Sequence, residues 1–339
     1  MTIQQEYLTA LKTFGYTERE ARFLYIVAVH SGYFTQAHLR QFSGNRSGRT
    51  VRAFTKRALT QEHVKESKHQ NNARVYQLTY KPMYEAIGRA NVRNRREHSF
   101  DFIKTKLACL DFIIAHPQHD YFEGEAEKVQ YFQEHFQIRP QEMPGKTYAG
   151  ANRVPDTIRY FVDKFPMFLD TARPGEPLPT LTYVDPGIGH LSDFSTHLNT
   201  YSDFLKRLPH FAFVYAGPRS AFFSKAETIF KAVLDPQTGK LSSQLGRYFS
   251  LRTAWEAKRY ETLNNTDLEF LNHAKQRFSG EPFESAFKKW QSGPINEKGL
   301  IAEIENRSAS KQEAQFKTCL LTRDYSSFGQ NSKVTGKPC

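Results

Sequence analysis

The sequence predicts an α+β fold with an N-terminal winged helix-turn-helix, a linker helix and a C-terminal α/β domain. Two short helical patterns followed by a β-hairpin pattern lie between Thr35 and Thr79. In the second half, strand-like and helical segments alternate. The predicted segments of the 339 residues are 1–90 (winged domain), 91–116 (basic segment and linker helix), 117–307 (α/β domain) and 308–339 (flexible tail).

The charge distribution indicates a polyanionic partner. Of the formal net charge of +12, nearly all lies before residue 107, where 19 Lys and Arg face 8 Asp and Glu; the remainder holds 28 against 27. Neutralising phosphates releases counterions, so basicity concentrated in one domain is typical of nucleic-acid binding. A basic surface without a partner is the alternative.

The compartment predicted is the cytoplasm. Cys109, Cys319 and Cys339 match neither a disulfide framework nor a zinc spacing. The longest apolar run, 23–29, is too short for a membrane span, and the polar N-terminus has no signal-peptide core. We therefore expect a soluble protein that does not associate with membranes.

The helices of the winged domain have recognisable start signals. Thr17 and Glu20 form a capping-box pattern, and the helix that they open extends to about Ser31. Thr35 caps a short helix to Phe42, residues 43–45 form a turn, and 47–60 form a second helix.

The helix over 47–60 has two faces. Apolar residues recur at i, i+3 and i+7, and cationic residues repeat this spacing roughly 200° around the helix. The apolar set is Val51, Phe54 and Ala58, and the cationic set is Arg49, Arg52 and Lys56. One face is suited to packing and the other to phosphates.

Strands are predicted at 64–67 and 74–79, around a polar turn at 69–72 that would form the wing. The residues predicted to contact DNA from the helical region are Arg40, Asn45, Arg46, Arg49, Thr50, Arg52, Lys56 and Arg57. Those predicted on the wing are Lys65, Lys68, His69 and Arg74.

A basic stretch follows the wing. Arg93, Arg95 and Arg96 are predicted either to follow a DNA backbone or to clamp a partner, with an ordinary solvated charge run as the alternative. The helix predicted over 99–115 is a candidate linker or dimerisation helix, because proteins that read palindromic sites bind as dimers; ordinary core packing fits its spacing equally well. We therefore expect a homodimer.

The second half is predicted to contain five strands and five helices. The strands are 119–124, 153–158, 165–170, 180–184 and 210–215, with 153–158 and 165–170 paired to each other. The helices are 125–135, 192–208, 220–234, 245–261 and 267–278.

Two motifs carry a resemblance to a known family. The winged pattern is followed by a segment rich in Asn and Arg at 91–96, and Pro155 precedes Asp156 ahead of a strand that ends in Asp185. Over 17–234 the chain resembles the replication-relaxation family of mobile elements, whose C-terminal domain resembles a PD-(D/E)xK nuclease core. The expected Glu-x-Lys is replaced by Tyr183 and Asp185, so the resemblance implies a degenerate core.

Three functions remain open. The first is a sequence-specific double-stranded DNA-binding protein, acting as a transcriptional regulator or as a replication-accessory factor of a mobile element or plasmid, without a cofactor. The second is a metal-dependent endonuclease or nickase, in which Asp156 and Asp185 would hold Mg²⁺. The third is a winged helix that binds another protein.

Overall fold

The computed structural model shows a mixed α and β protein. It describes residues 1–44, 48–69, 73–150, 155–162, 165–171, 177–234, 236–278, 280–281, 283–292 and 313–326. The chain forms two compact units, one made of residues 1–226 and 314–339 (unit 1) and one of residues 227–313 (unit 2). These units do not coincide with the boundaries predicted at residues 90, 116 and 307.

The described residues form helices and strands in alternating groups. The helices of unit 1, and α9 at its boundary, are α1 (Gln5–Lys12), α2 (Glu18–Ile26), α3 (Gln36–Phe42), α4 (Gly48–Thr60), α5 (Lys81–Ala86), α6 (Phe100–Ala115), α7 (Glu125–Phe136), α8 (Leu191–Leu205) and α9 (Phe223–Leu234). The remaining helices are α10 (Pro236–Glu256), α11 (Asn265–Arg277) and α12 (Phe283–Ser292). The strands are β1 (Tyr33–Phe34), β2 (Val64–Lys68), β3 (Arg74–Leu78), β4 (Asp120–Tyr121), β5 (Gly145–Tyr148), β6 (Thr157–Tyr160), β7 (Met167–Asp170), β8 (Leu178–Val184), β9 (His210–Gly217) and β10 (Glu313–Leu320).

Two threonine caps start helices where the sequence predicts them. Thr17 Oγ1 accepts a hydrogen bond from the Glu20 amide at 3.4 Å, and Glu20 Oε2 accepts one from the Thr17 amide at 2.8 Å. In the second cap a histidine replaces the glutamate, and His38 Nδ1 accepts from the Thr35 amide at 3.0 Å. Both caps satisfy amides that the ends of a helix leave without partners, so α2 and α3 begin directly after the threonines.

The first sheet has the order β1-β3-β2 and is antiparallel. One turn of π-helix, Val27–Ser31, leads into it and ends at Gly32. Gly32 has a φ of 80°, and a Cβ there would overlap the carbonyl of Asn94. The Leu78 amide donates to the Gly32 carbonyl at 2.9 Å, so this glycine lets the chain turn tightly against β3.

The second sheet has the order β10-β9-β8-β7-β4. β8 is buried along its whole length and is parallel to β9, whereas β7 and β4 continue the sheet in antiparallel pairs. The predicted pairing of 153–158 with 165–170 is wrong, because β6 pairs with β5 in a separate hairpin. The prediction of a flexible tail from residue 308 is also wrong for residues 313–320, which complete this sheet as β10.

One apolar core joins the N-terminal helices to the second sheet. It includes residues of α1 to α6 together with Phe168 of β7, Val184 of β8 and Val214 of β9. Residues 104–114 of α6 are all buried, so the helix predicted to link or dimerise is a core helix of unit 1. The apolar periodicity of the sequence predicts single helices and strands, but it does not show which of these elements share a core.

Unit 2 has its own core between α10, α11 and α12. Tyr248 and Phe249 of α10 pack against Phe278 and Phe287, with ring centroids 5.5 and 5.2 Å apart, respectively. Arg252 forms a two-armed ion pair with Glu284, at 2.8 and 2.9 Å. The sequence predicts α10 and α11 but not α12.

Candidate nucleic-acid interface

Helix α4 presents two chemically different faces. Its buried face consists of apolar side chains that are at most 1% exposed, namely Val51, Phe54 and Ala58. The opposite face consists of exposed cationic side chains, namely Arg49, Arg52 and Lys56. No acidic residue occurs anywhere between Glu20 and Glu62. The exposed face of α4 is therefore cationic over about two helical turns.

Contacts on the buried side fix the direction of this face. The Phe54 ring centroid lies 5.6 Å from that of Tyr16 and 6.1 Å from that of Phe23. Gln36 Nε2 donates to Thr55 Oγ1 at 3.2 Å and thereby joins α3 to α4. Because α4 cannot rotate without breaking these contacts, its cationic side chains are held toward solvent.

Two guanidinium groups meet at the first residue of α4. A methyl group on Gly48 would lie 3.7 Å from Arg52 Nη2 and 3.9 Å from Arg40 Nη2. Both arginines are exposed, as is Thr50 in the same turn. The free amides of a helix N-terminus add a partial positive charge. The start of α4 therefore concentrates positive potential contributed by two helices.

The β2–β3 hairpin carries cations of two kinds. Its exposed lysines are Lys65 and Lys68. Arg74 is also exposed, but its Nη1 lies 3.0 Å from Glu66 Oε1 on the neighbouring strand. His69 is half-buried, with its ring edge-on to Phe100 at 4.7 Å between centroids, and burial lowers the pKa of His69. The two lysines are thus the charges best placed for an external partner.

Arg57, another predicted contact on α4, has partners within the protein. Its Nη2 lies 2.6 Å from Glu20 Oε2, and its guanidinium carbon lies 5.0 Å from the centroid of the Tyr16 ring. Burial raises the pKa of Tyr16 to about 12, and the charge of Arg57 opposes that shift. Arg57 therefore joins α4 to α2, because its side chain points back toward the protein.

The basic stretch after the β2–β3 hairpin is anchored through its main chain. Gln77 Nε2 of β3 donates to the carbonyls of Arg95 and Arg96, at 3.1 and 2.8 Å. Arg96 is exposed and Arg95 is half-buried. Three predicted contacts lie outside the part of the chain that the structure describes: Asn45, Arg46 and the side chain of Arg93.

Asp185 has partners on both carboxylate oxygens. It is 2% exposed, and its Oδ1 accepts from the amides of Gly187 and Gly189 at 2.8 and 3.1 Å. Its Oδ2 accepts from the Tyr215 hydroxyl at 3.1 Å, and burial together with Asp185 raises the pKa of Tyr215. These contacts close the turn after β8, so the carboxylate serves the fold.

The two carboxylates of the nuclease alternative belong to different sheets. Asp156 is exposed, accepts from the Gly150 amide at 3.0 Å and precedes β6, which pairs with β5. Asp185 follows β8 of the second sheet. Among the described residues, no group of three or more His, Cys, Asp or Glu side chains is arranged to hold a metal ion.

A buried polar network that the sequence does not predict joins α3 to α6 and to the segment after β10. His38 is fully buried, and its Nε2 lies 3.1 Å from Asp111 Oδ1 and 3.1 Å from the Tyr325 hydroxyl. The Tyr325 hydroxyl donates to Asp111 Oδ2 at 2.5 Å, and Arg323 Nη1 donates to Asp111 Oδ1. No local pattern connects residues so far apart in the chain.

The contacts of His38 define its protonation state. Nδ1 accepts from the Thr35 amide, so it carries no proton, and Nε2–H faces the acceptors Asp111 and Leu107. Burial lowers the pKa of His38 to about 3, and the charge of Arg323 adds to this effect. The neutral ring therefore caps α3 and contacts Asp111 at the same time.

Neither a search for membrane-spanning helices nor comparison with known proteins identifies a further feature of the chain. No helix among the described residues combines the length and apolarity that crossing a bilayer requires. Models of protein families, curated proteins and solved structures gave no match to the chain.

Proposed function

We propose that the protein binds double-stranded DNA, with α4 as the helix that enters the major groove. The observation that carries this proposal is the cationic face of α4, which is free of acidic residues and is held toward solvent by the packing of its other face. The order of α3, α4 and an antiparallel hairpin is typical of winged helix-turn-helix proteins and supports the proposal. The resemblance of the sequence to the replication-relaxation family is a separate argument for the same proposal.

The dimensions fit this mode of binding. The major groove is about 12 Å wide, and a helix with its side chains is about 10–12 Å across. In helix-turn-helix proteins the N-terminal part of the recognition helix reads base edges. In this binding mode Arg40, Arg49 and Arg52 would contact bases or phosphates. Lys56, further along α4, would contact a phosphate. Lys65 and Lys68 of the hairpin would contact the DNA backbone beside the groove.

The proposed role is regulatory or replication-accessory, with the protein acting as a homodimer on its site. Since residues 104–114 of α6 are buried within unit 1, the dimer surface must lie elsewhere. Cleavage is the less favoured alternative, because both oxygens of Asp185 already have protein donors. Incubation of supercoiled plasmid with protein and Mg²⁺ tests it: cleavage that Asp156→Ala removes would establish a nuclease.

Fluorescence anisotropy with a labelled duplex tests the DNA-binding proposal. If about four phosphates are neutralised, affinity should fall about a hundredfold between about 50 and 200 mM salt. The double variant Arg49→Ala with Arg52→Ala should bind at least about tenfold more weakly, and its salt slope should decrease by about 2.

The matched control removes the same charge elsewhere. Lys206→Ala with Lys225→Ala changes two exposed lysines, neither of which lies on α3, α4 or the β2–β3 hairpin. This variant should keep the affinity and salt slope of the original protein. Equal affinity in the Arg49 and Arg52 variant would contradict the assignment of α4 as the recognition helix.

A further inference from the structure

A cavity of about 740 Å³ lies within unit 1. Its walls come from the segment 88–94, from α6, from the first turn of α7 and from the β5–β6 hairpin. Small-molecule sites commonly have volumes of about 300–1,000 Å³. The cavity is therefore large enough for a ligand of several ring and phosphate groups. We call it the α7 cavity.

The charged side chains of the α7 cavity do not balance. The cationic ones are Arg89, Lys106, Lys128 and Arg159, and the anionic ones are Glu123 and Glu125. Arg89 Nη2 lies 2.5 Å from Glu123 Oε2, and Arg159 Nε lies 2.5 Å from Glu125 Oε2. The two arginines thus use both glutamates, and the cavity lining holds two more cationic than anionic side chains.

Both lysines are buried beside this space. Each is 8% exposed. Lys106 Nζ donates to the His30 carbonyl at 3.0 Å. Lys128 Nζ lies 6.0 Å from the centroid of the Phe161 ring, and no carboxylate of a described residue lies within 4.0 Å of it. Burying the Lys128 ammonium group without an anionic partner is costly, so an anion in the cavity would stabilise this lysine.

The effect on His30 shows that the cations act together. Burial lowers the pKa of His30 to about 3, and the charges of Lys106, Lys128 and Arg89 all add to the shift. The same three cations line the α7 cavity. The cavity wall therefore carries a concentrated positive potential that suits a multiply charged anion.

Aromatic side chains line the space beside the lysines. The His98 ring stacks on Phe102, with centroids 4.0 Å apart and an interplanar angle of 25°. Lys106 Nζ lies 5.7 Å from the centroid of Phe102, so the charge and the ring are adjacent. Tyr148 and Tyr160 of the hairpin line the same cavity. Such rings provide stacking surfaces for a planar group.

We propose that the α7 cavity binds a small phosphorylated molecule with a planar ring, of the nucleotide class. Lys106 and Lys128 would meet the phosphate, which carries up to two negative charges at neutral pH and accepts charge-assisted hydrogen bonds. The aromatic residues would contact the ring. The site is independent of the proposed DNA binding, because α4 contributes no residue to the cavity.

Calorimetric titration of the full chain with adenosine and guanosine 5′-mono- and diphosphates tests this proposal. At least one nucleotide should bind with a Kd below about 100 μM, and the matching nucleoside should bind at least about tenfold more weakly, because it lacks the charged group. Absence of binding by all four nucleotides, or equal binding of nucleoside and nucleotide, would overturn the proposal.

Lys128→Met identifies the site. It should weaken nucleotide binding at least about tenfold without lowering the melting temperature of the free protein, because it removes a buried charge. Lys206→Met changes an exposed lysine and should bind as the original protein does. Unchanged affinity in Lys128→Met would place the ligand elsewhere and overturn the proposal.

Acetylation footprinting of the unmodified chain gives a second measurement that does not depend on the folding of a variant. Bound nucleotide should slow acetylation of Lys106 and Lys128 at least about fivefold and leave Lys206 unaffected, because ligand contact shields the ammonium groups. Equal rates at Lys128 with and without saturating nucleotide would overturn the proposal.

Discussion

Helices α4 and α6 both carry basic residues, but the two helices place them in opposite environments. Arg52 and Lys56 of α4 are exposed, whereas Lys104 and Lys106 of α6 are 6% and 8% exposed. α6 packs against the π-helical turn, α3, β1 and β8, so that little of its surface faces water. An exposed cation remains hydrated, so it needs no partner before a polyanion binds. A buried cation has lost its hydration, so it needs a specific partner in the protein or in a ligand.

The same contrast applies to the acidic residues. Along α4 there is no carboxylate to compete with the phosphates of the proposed DNA ligand. By contrast, α6 contains the buried Asp111, which accepts from three side chains. A count of charges along the sequence does not distinguish exposed charged residues from buried ones. The structure separates charges available for binding from charges that hold elements together, and variants on each helix can test the separation.

The largest effect is expected for Asp111→Ala. This change leaves Arg323, Tyr325 and His38 without their shared acceptor in a buried site. Removing one partner of a buried charged network costs about 3–5 kcal/mol of the free energy of unfolding. Urea titration followed by circular dichroism measures the loss.

The control for this variant lies on the same helix. Asp101→Ala removes an exposed carboxylate, 76% exposed and 3.9 Å from Lys104 Nζ, and should change the free energy of unfolding by less than about 0.5 kcal/mol. If Asp111→Ala were no more destabilising than Asp101→Ala, the network would not connect α3 to α6 energetically.

Acidification should destabilise the protein through His38, which is buried, and His30, which is partly buried. The pKa values of His38 and His30 are lowered from 6.5 to about 3 in the folded state, chiefly by burial. The unfolded chain therefore binds protons below pH 6.5 that the folded chain does not. Stability is fully present above that pH and decreases below it, by about 2 kcal/mol per histidine between about pH 7 and 5.

Urea titrations at those two pH values measure the loss. His38→Gln should remove about half of the contribution of the two histidines, because glutamine still offers an acceptor to the Thr35 amide and a donor to Asp111 but does not titrate. An unaltered pH dependence in His38→Gln would contradict the neutral, buried state of His38.

What could be predicted from the sequence was local. The two faces of α4 follow from residues three and four apart, and the cap at Thr17 follows from residues three apart, so short-range periodicity was sufficient. The pairing of β6 with β5, the position of β10 and the contact of His38 with Tyr325 depend on residues distant in the chain. Propensity and spacing contain no information about such contacts.

The candidate sites could likewise be predicted only where they depend on residues close together in the chain. The exposure of Arg49 and Arg52 could be predicted because their helix has a regular apolar face opposite them, and their role in binding stays a prediction. The surroundings of Asp185 could not be predicted, because the amides that donate to its carboxylate come from a turn whose geometry does not follow from the residue types. Lys106 and Lys128 had no motif at all, since a cavity is formed by several elements and appears only when they pack.

The smallest predicted effect separates Arg57 from Arg52 within α4 itself. Arg57→Ala loses the ion pair with Glu20 and the contact with the Tyr16 ring, and should cost about 1 kcal/mol of the free energy of unfolding while changing duplex affinity less than about twofold. Arg52→Ala should show the reverse, with stability unchanged within about 0.5 kcal/mol and weaker DNA binding. Denaturation and anisotropy on both variants measure this. Because both changes remove one positive charge from one helix, equal losses of affinity would mean that net charge, rather than the direction of the side chains, determines binding.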